Sequence, residues 1–327
     1  MAPMKKALIS RYGAYGDIIH MSHLPHLLKD QGYDIVDVET NYKGSQLLSY
    51  NPHIDNLFYF EPTNYIELYK DPFMLNKHWE IISQGYDKFV NLYESLEGAL
   101  IASETSNVYY MHPRNRQKYA ETNYYDQSTI VAGYPELVGQ YRGEVYYTDE
   151  EERIAREYMS RRKNPIIVNL NGTTLNKRMA FAPELIARLL VEFPDSELLL
   201  TGDRNSDNLN IPESDRIKFL KKIMPFRQVV LMAKYARVVV SMESGFGVAA
   251  NMWETPTVQM MTAASLINHP NGCKNDFSLQ SPARCSPCTK AQYKFIGCPR
   301  KDGYPLCVWF DVDTVIEQVR KAYAVWG

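Results

Sequence analysis

No segment of this sequence approaches the roughly 20 uninterrupted apolar residues that a bilayer-spanning helix requires. Met1 to Ser10 also lacks the apolar core and small-residue cleavage pattern of a secretory leader, so a cytoplasmic protein with no transmembrane contact is expected. Charge of one sign is equally scarce: 36 basic residues against 38 acidic leave a formal net charge of -2. Such a chain has no global field to gather a polyanion, although a local basic groove remains open to it. Cysteine is absent before Cys273; the five cysteines are Cys273, Cys285, Cys288, Cys298 and Cys307. In a long cytoplasmic chain that late cluster points to a metal or to buried free thiols rather than to a disulfide framework.

What is present describes an ordinary globular protein. The 327 residues exceed the usual size of one compact core and suit two domains of roughly 150 residues each. The 24 tyrosines are an unusual number, and many fall in the first half; a ring with a polar tip suits sugar stacking or an interface as well as a core.

Apolar runs and helical spacings alternate along the chain. Lys6 to Ser10, Tyr33 to Thr40, Asn56 to Phe60 and Tyr86 to Tyr93 are predicted strands, with helices over Ile18 to Lys29 and Ser45 to Tyr50. From Glu61 to Trp79 and from Tyr109 to Tyr134 the pattern loosens into polar and aromatic sequence, either surface excursions or substrate loops. The second of these carries a small basic cluster of His112, Arg114, Arg116 and Lys118. A charged helix over Asp149 to Arg162 precedes a second series. Its strands are Pro165 to Asn169, Glu197 to Thr201, Arg237 to Ser241 and, closing the series, Thr257 to Met261. Between them lie helices Pro183 to Phe193, Phe226 to Lys234 and Val248 to Trp253, and Asp311 to Val325 is a final helix. Strand and helix in alternation predict an α/β protein with two parallel, doubly wound sheets. The expected domains are 1–155 and 156–310, with 311–327 a helix able to pack back on the first domain. Ligands of such sheets bind beyond the carboxyl ends of the strands, where the glycine turns at 13 to 16 and 243 to 247 both fall.

Several groups at those ends could do chemistry. Asp17 follows Gly13 and Gly16 at a helix start, where a carboxylate either caps free N–H groups or removes a proton from an acceptor hydroxyl. In Glu243-Ser244-Gly245-Phe246-Gly247 the glycines allow close approach of backbone to ligand. Ser244 offers a hydroxyl, Glu243 could accept from a ribose or sugar hydroxyl, and the following helix offers N–H groups to a pyrophosphate. A tight strand-to-helix connection is the structural alternative. Asn171, Gly172, Thr173 and Thr174, with Lys177 and Arg178 a few residues on, could meet phosphate oxygens and the charge that develops as a diphosphate departs. Solvent-facing charge is the plain alternative for either cation. Cys285-x-x-Cys288 with Cys298 and Cys307 supplies four soft ligands for a zinc or iron ion that would staple a loop rather than catalyse.

Taken in order, RYGAYGDIIHMSHLPHLLK, YNPHIDNLFYF, YDKFVNLYES, VNLNGTTLNKR, LLLTGD and VVVSMESGFGVAANMWETPTVQM resemble the heptosyltransferase-like glycosyltransferases, which include the ADP-heptose:lipopolysaccharide heptosyltransferases. The resemblance spans most of the chain. It implies a GT-B fold, two Rossmann-like domains facing a cleft, with acceptor on the first and a nucleotide-sugar donor on the second. It also implies inverting transfer to an acceptor hydroxyl without a catalytic metal. Asp17 then matches the general base and Lys177 the residue that steadies the leaving diphosphate. Asn171, Thr173, Thr174, Arg178, Glu243, Ser244, Gly245, Phe246 and Gly247 fall to the donor, and Gly13, Tyr15, Arg114, Arg116 and Lys118 to the acceptor. The implied acceptor is a glycan, lipopolysaccharide or protein. Glu243 is one methylene longer than the aspartate usual in the family, and Val248 stands where a histidine is expected. The cysteine cluster resembles one that binds iron in protein-modifying relatives. Two other readings stay open: an inactive nucleotide- or sugar-binding module, supported by the missing histidine, and a glycosyltransferase acting on DNA through Arg114, Arg116 and Lys118. A nicotinamide oxidoreductase is disfavoured because neither glycine turn carries the three-glycine fingerprint.

Overall fold

The computed structural model describes residues 3–59, 72–92, 112, 121–202, 209–220, 224–269, 273–289 and 298–325. The chain divides into two compact units, Met1–Leu96 with Tyr125–Tyr147, and Glu97–Tyr124 with Thr148–Gly327. Among the described residues no helix is long and apolar enough to cross a membrane.

The first unit is built on a parallel sheet of β1 (Lys6–Arg11), β2 (Ile35–Thr40), β3 (Asn56–Tyr59) and β4 (Lys88–Asn91), in the order β3-β2-β1-β4. The second holds β5 (Ile166–Asn169), β6 (Leu198–Thr201), β7 (Ile217–Phe219), β8 (Val238–Met242), β9 (Thr257–Met261) and β10 (Leu279–Gln280). Its order, β10-β9-β8-β5-β6-β7, is that of a doubly wound dinucleotide-fold sheet. All pairings in both sheets are parallel. Every residue of β5, β6, β8 and β9 is buried, because helices cover both faces of a parallel sheet and leave no solvated side for alternation.

The structure departs from the sequence reading in several places. The helix expected over Ile18 to Lys29 is two, Tyr15–Met21 and Leu24–Asp30. Pro25 has no N–H to continue the first, and Ser22 Oγ donates to Ile19 O at 2.8 Å at the break. The second sheet does not close at Thr257–Met261, since β10 pairs beyond it, and β7 extends the opposite edge. Both strands are too short to show a period. Helix Pro72–Ile82 lies partly inside the loosened stretch before Trp79, and helix Tyr124–Val131 inside the one ending at Tyr134. Arg114, Arg116 and Lys118 lie outside the described residues.

The division between units precedes the charged helix, Asp149–Ser160, instead of falling inside it at 155. That helix is anchored to the second unit through Glu151, whose carboxylate takes Arg227 Nε at 2.6 Å and Nη2 at 3.1 Å. Helix Val312–Ala324 is likewise part of the second core: Val315, Ile316, Val319 and Ala322 are fully buried among Leu185, Leu189, Val258 and Met260. Its apolar stripe is satisfied there.

Candidate active site

In the second unit the strand order reverses between β5 and β8, so their carboxyl ends open a crevice that no crossover fills. Asn169, the last residue of β5, is in register with Ser241 of β8. Its Oδ1 accepts from Ser244 Oγ at 2.9 Å and from Ser241 Oγ at 3.3 Å. Ser244 also accepts from Gly247 N at 3.3 Å, capping helix Gly245–Met252. Its hydroxyl therefore works first as the fastener of the helix start. Gly247 is required by close packing: a Cβ there would lie 2.4 Å from Gln259 Nε2. Phe246 is buried and meets the Phe226 ring edge to face, and Val248 is 2% exposed, so both face the core. The backbone start of the helix, at Ser244 and Gly245, is what remains to face the crevice.

The loop after β5 is a closed turn. Asn171 and Arg178 form a bridge across it, Gly172 N donates to Lys177 O at 2.7 Å, and Lys177 N to Thr174 O at 3.0 Å. Thr174 Oγ1 donates to Asn176 Oδ1 at 2.7 Å, while Thr173 is exposed at the tip. A Cβ on Gly172 would meet Lys177 Cβ at 3.0 Å and Glu243 O at 3.1 Å, which explains a glycine where this loop crosses the end of β8.

Lys177 and Glu243 meet at the centre of this arrangement, Nζ to Oε1 at 3.0 Å, the lysine side chain 18% exposed and the glutamate 0%. Oε2 of Glu243 accepts from the backbone N–H of Thr262 at 3.0 Å, Ala263 at 2.9 Å and Ala264 at 3.0 Å, and from Thr262 Oγ1 at 3.1 Å. Burial alone would raise its pKa; Lys177, His269 and the N–H groups of Ala264 and Thr262 outweigh it and hold the carboxyl at about 2. The expectation that Glu243 meets a ribose or sugar hydroxyl is revised on this geometry. Its carboxylate ties the 262–264 turn to the lysine.

In the first unit the order reverses between β1 and β4. Asp17 lies at the carboxyl end of β1, 22% exposed, with Oδ2 accepting from Ala14 N at 2.7 Å and Oδ1 3.2 Å from Arg11 Nη2. The capping role foreseen for Asp17 is thus present, and a carboxylate with about four lone-pair positions keeps acceptor capacity beyond those two contacts. Arg11 is 1% exposed and donates to Leu92 O at 3.0 Å, bridging the ends of β1 and β4. Gly13 adopts φ +150°, and a Cβ there would fall 2.6 Å from Asp17 Oδ2. Asn41 Nδ2 donates to Gly13 O at 2.9 Å, and Tyr15 OH to Gln46 Oε1 at 2.9 Å. Burial, then Tyr42, raises the Tyr15 phenol.

Arg11, Asn41, Asn169 and Thr262 were not singled out from the sequence. A second buried carboxylate was also missed: Glu39, at the end of β2, accepts from Ser10 Oγ at 3.0 Å and from Tyr12 OH, and lies 2.6 Å from His78 Nε2. In all five cases the only available signal was position, a polar residue at or just past the end of an apolar run.

Of the four cysteines expected to bind metal, Cys298 and Cys307 flank in sequence a short hairpin in which Arg300–Lys301 pairs antiparallel with Tyr304–Pro305. Cys307 is buried, Cys288 and Cys298 half-buried, and Cys285 exposed. Burial raises the Cys307 thiol, and the sulfurs of Cys288, Cys298 and Cys285 raise it further, in that order, which marks the four as electrostatic neighbours.

Two units, each built on a parallel doubly wound sheet with a polar constellation at its switch point, give an α/β fold of the kind found in solved GT-B glycosyltransferases. Within that class the fold is that of the heptosyltransferase-like glycosyltransferases, as the sequence motifs imply. By sequence the chain matches no protein family and no curated protein. Among solved structures it is similar to ADP-heptose lipopolysaccharide heptosyltransferase II of E. coli, with a TM-score of 0.66 and 14% identity over 99% of each chain. A family 9 glycosyltransferase of Veillonella parvula has a TM-score of 0.65 and 14% identity over 98% of this chain and 97% of that one. The iron-containing dodecameric glycosyltransferase TibC of enterotoxigenic E. coli has a TM-score of 0.61 and 10% identity, covering all of this chain and 78% of its own. At these identities the likeness is one of fold.

Proposed function

We propose that this protein is an inverting glycosyltransferase that moves a sugar from a nucleotide-sugar donor to an acceptor hydroxyl. The observation that carries the reading is Lys177 held at the β5/β8 switch point beside the start of helix Gly245–Met252. A cation and helix N–H groups at that place suit a diphosphate. In the reaction, the acceptor oxygen forms a bond to the anomeric carbon as Asp17 takes its proton. The bond from that carbon to the diphosphate breaks, and the nucleoside diphosphate leaves with the electron pair. Lys177 offsets the charge gathering on the leaving oxygens, an electrostatic task that needs no metal. Arg11 and Ala14 N orient the Asp17 carboxylate. The reading requires an acceptor bound at the first unit to reach the donor bound at the second. Val248 cannot donate a hydrogen bond where relatives are expected to carry histidine, so the donor sugar is gripped by other groups. A glycan, lipopolysaccharide or protein acceptor fits the neighbours' chemistry; heptosyltransferase II and TibC are named for heptose and glycosyl transfer.

Cys285, Cys288, Cys298 and Cys307 would hold one zinc or iron ion in a closed four-sulfur site, giving the segment around the hairpin a staple and taking no part in transfer. The presence of Cys288, Cys298 and Cys285 among the charges that act on buried Cys307 is the support for that set.

The test is incubation of the purified protein with a panel of nucleotide sugars, with mass spectrometry of the retained donor and of any glycosylated acceptor. Transfer by the wild type and none by folded Asp17→Asn is the expected result. Donor binding with neither transfer nor hydrolysis, under any acceptor, would make it a binding module instead.

A further inference from the structure

The first unit contains a cluster that glycosyl transfer does not use. His26 lies in helix Leu24–Asp30, His53 in the turn that follows helix Tyr42–Leu48, and Glu144 in the extended segment returning from helix Tyr124–Val131. One ligand atom from each of the three lies within 4.8 Å of the others, and all three side chains are half-buried. His26 Nδ1 is 2.8 Å from Glu144 Oε1, and the His26 and His53 rings stack with centroids 4.1 Å apart. We propose that His26, His53 and Glu144 bind one divalent transition-metal ion of the zinc class.

The donor set fits that chemistry. Two imidazoles and a carboxylate are the ligands of open zinc sites, where water fills the remaining position, and they are too nitrogen-rich for calcium or magnesium. Outer partners are already in place. Asp30 Oδ2 is 3.5 Å from His26 Nε2, the nitrogen that faces away from Glu144, and is itself held by Tyr141 OH at 2.7 Å. Tyr146 OH donates to Glu144 Oε2 at 2.9 Å, leaving Oε1 turned to the histidines. Such contacts set the tautomer of a ligating histidine and the pose of a ligating carboxylate. Backbone anchors fix where each ligand starts: Glu144 N donates to buried Ser22 Oγ at 2.8 Å, and His53 N to Asn51 Oδ1 at 2.9 Å.

The plain alternative is a surface ion pair beside two stacked rings. Binding an ion requires the stack to open, because ligand atoms around a tetrahedral zinc lie about 3.3 Å apart and the ion must sit in the plane of each ring. That movement is a rotation of half-buried side chains. It exchanges the His26–Glu144 hydrogen bond and the ring contacts of the two histidines for three metal bonds. The ion would also join three segments that are distant in sequence, so that its binding energy becomes folding energy of the first unit.

The experiment uses metal-free full-length protein carrying Cys285→Ser and Cys288→Ser, so that the thiol cluster takes no ion, titrated with ZnCl2 by calorimetry. One ion per chain is expected, with a rise in melting temperature. His53→Gln should weaken binding by tenfold or more, and Asp30→Asn by about 10- to 100-fold through the outer shell. If the double-cysteine protein does not fold, the wild type titrated with CoCl2 gives the same answer: a second absorbing species without sulfur-to-metal charge transfer, lost in His53→Gln. A single thiolate-bound cobalt, or zinc affinity unchanged by His53→Gln and by His26→Gln, would overturn the assignment. No outcome depends on whether the protein transfers sugar.

Discussion

Lys177 Nζ lies 3.0 Å from a carboxylate, Glu243, that has no contact with solvent. The lysine is partly exposed and can turn outward; the glutamate cannot. Replacing Lys177 with alanine therefore strips the charge from the crevice and leaves a buried anion supported by the 262–264 N–H groups, the Thr262 hydroxyl and His269. Transfer should fall by about 10²- to 10³-fold, the usual loss for one stabilising group at a leaving oxyanion. Stability should fall as well, by about 1–3 kcal/mol for the unmatched group. Steady-state kinetics and a urea titration of Lys177→Ala separate the two; full activity would remove Lys177 from the mechanism.

Glu243 makes the second unit sensitive to acid. Its carboxyl titrates at about 2 in the folded chain, down from 4.5. A depressed folded-state pKa contributes stability that is complete above the unfolded value and is lost as pH falls through the folded one. The window is therefore pH 4.5 down to about 2. Urea midpoints measured across that range should decline less steeply in Glu243→Gln than in wild type, and parallel slopes would show that other groups govern the acid limb.

Asp17→Asn preserves an acceptor for Ala14 N but removes the proton acceptor and the charge facing Arg11. Melting temperature should fall as buried Arg11 loses its carboxylate, while turnover of the protein that remains folded drops by about 10²- to 10⁴-fold, the range of general-base catalysis. Gly13→Ala offers a second route to the same carboxylate, since its Cβ would be 2.6 Å from Asp17 Oδ2. Its circular dichroism and kcat should show a folded protein with impaired transfer; an alanine variant of wild-type rate would mean that the pose of Asp17 does not matter.

Gly247→Ala should destabilise the second unit by about 1–3 kcal/mol through overpacking. The clash is with Gln259, fully buried on β9, at 2.4 Å from Nε2 and 2.7 Å from Cδ. Shortening that side chain in Gly247→Ala/Gln259→Ala makes room, so the double variant should be more stable than additivity of the two singles allows. Additive losses in thermal unfolding would place the strain elsewhere.

The strands were legible because buried parallel strands are near-continuous apolar runs: Thr257–Met261 was read to the residue, and β1, β5, β6 and β8 to within one. Ile217–Phe219 and Leu279–Gln280 were not, since two or three residues carry no period. The break at Ser22 was hidden because apolar spacing continues through both helices on one face. At the site, glycines and polar residues just past strand ends marked Asp17, Lys177 and Ser244. What those side chains bond to was not marked. Arg11 closes an apolar strand and reads as its polar end, while its partner at 17 becomes visible only when the turn folds back. Glu243 looked like a ligand contact because nothing in the sequence shows that the 262–264 turn aims three N–H groups at it.

Helix Val312–Ala324 completes the core over Leu185 and Leu189. During synthesis, strands β5 to β9 leave the ribosome well before the element that covers them, whereas the four described strands of the first unit's sheet are out by residue 91. The first unit can begin to pair early, but the second must hold apolar surface open until its last helix arrives, which makes it the half most in need of protection from aggregation in a newly made chain.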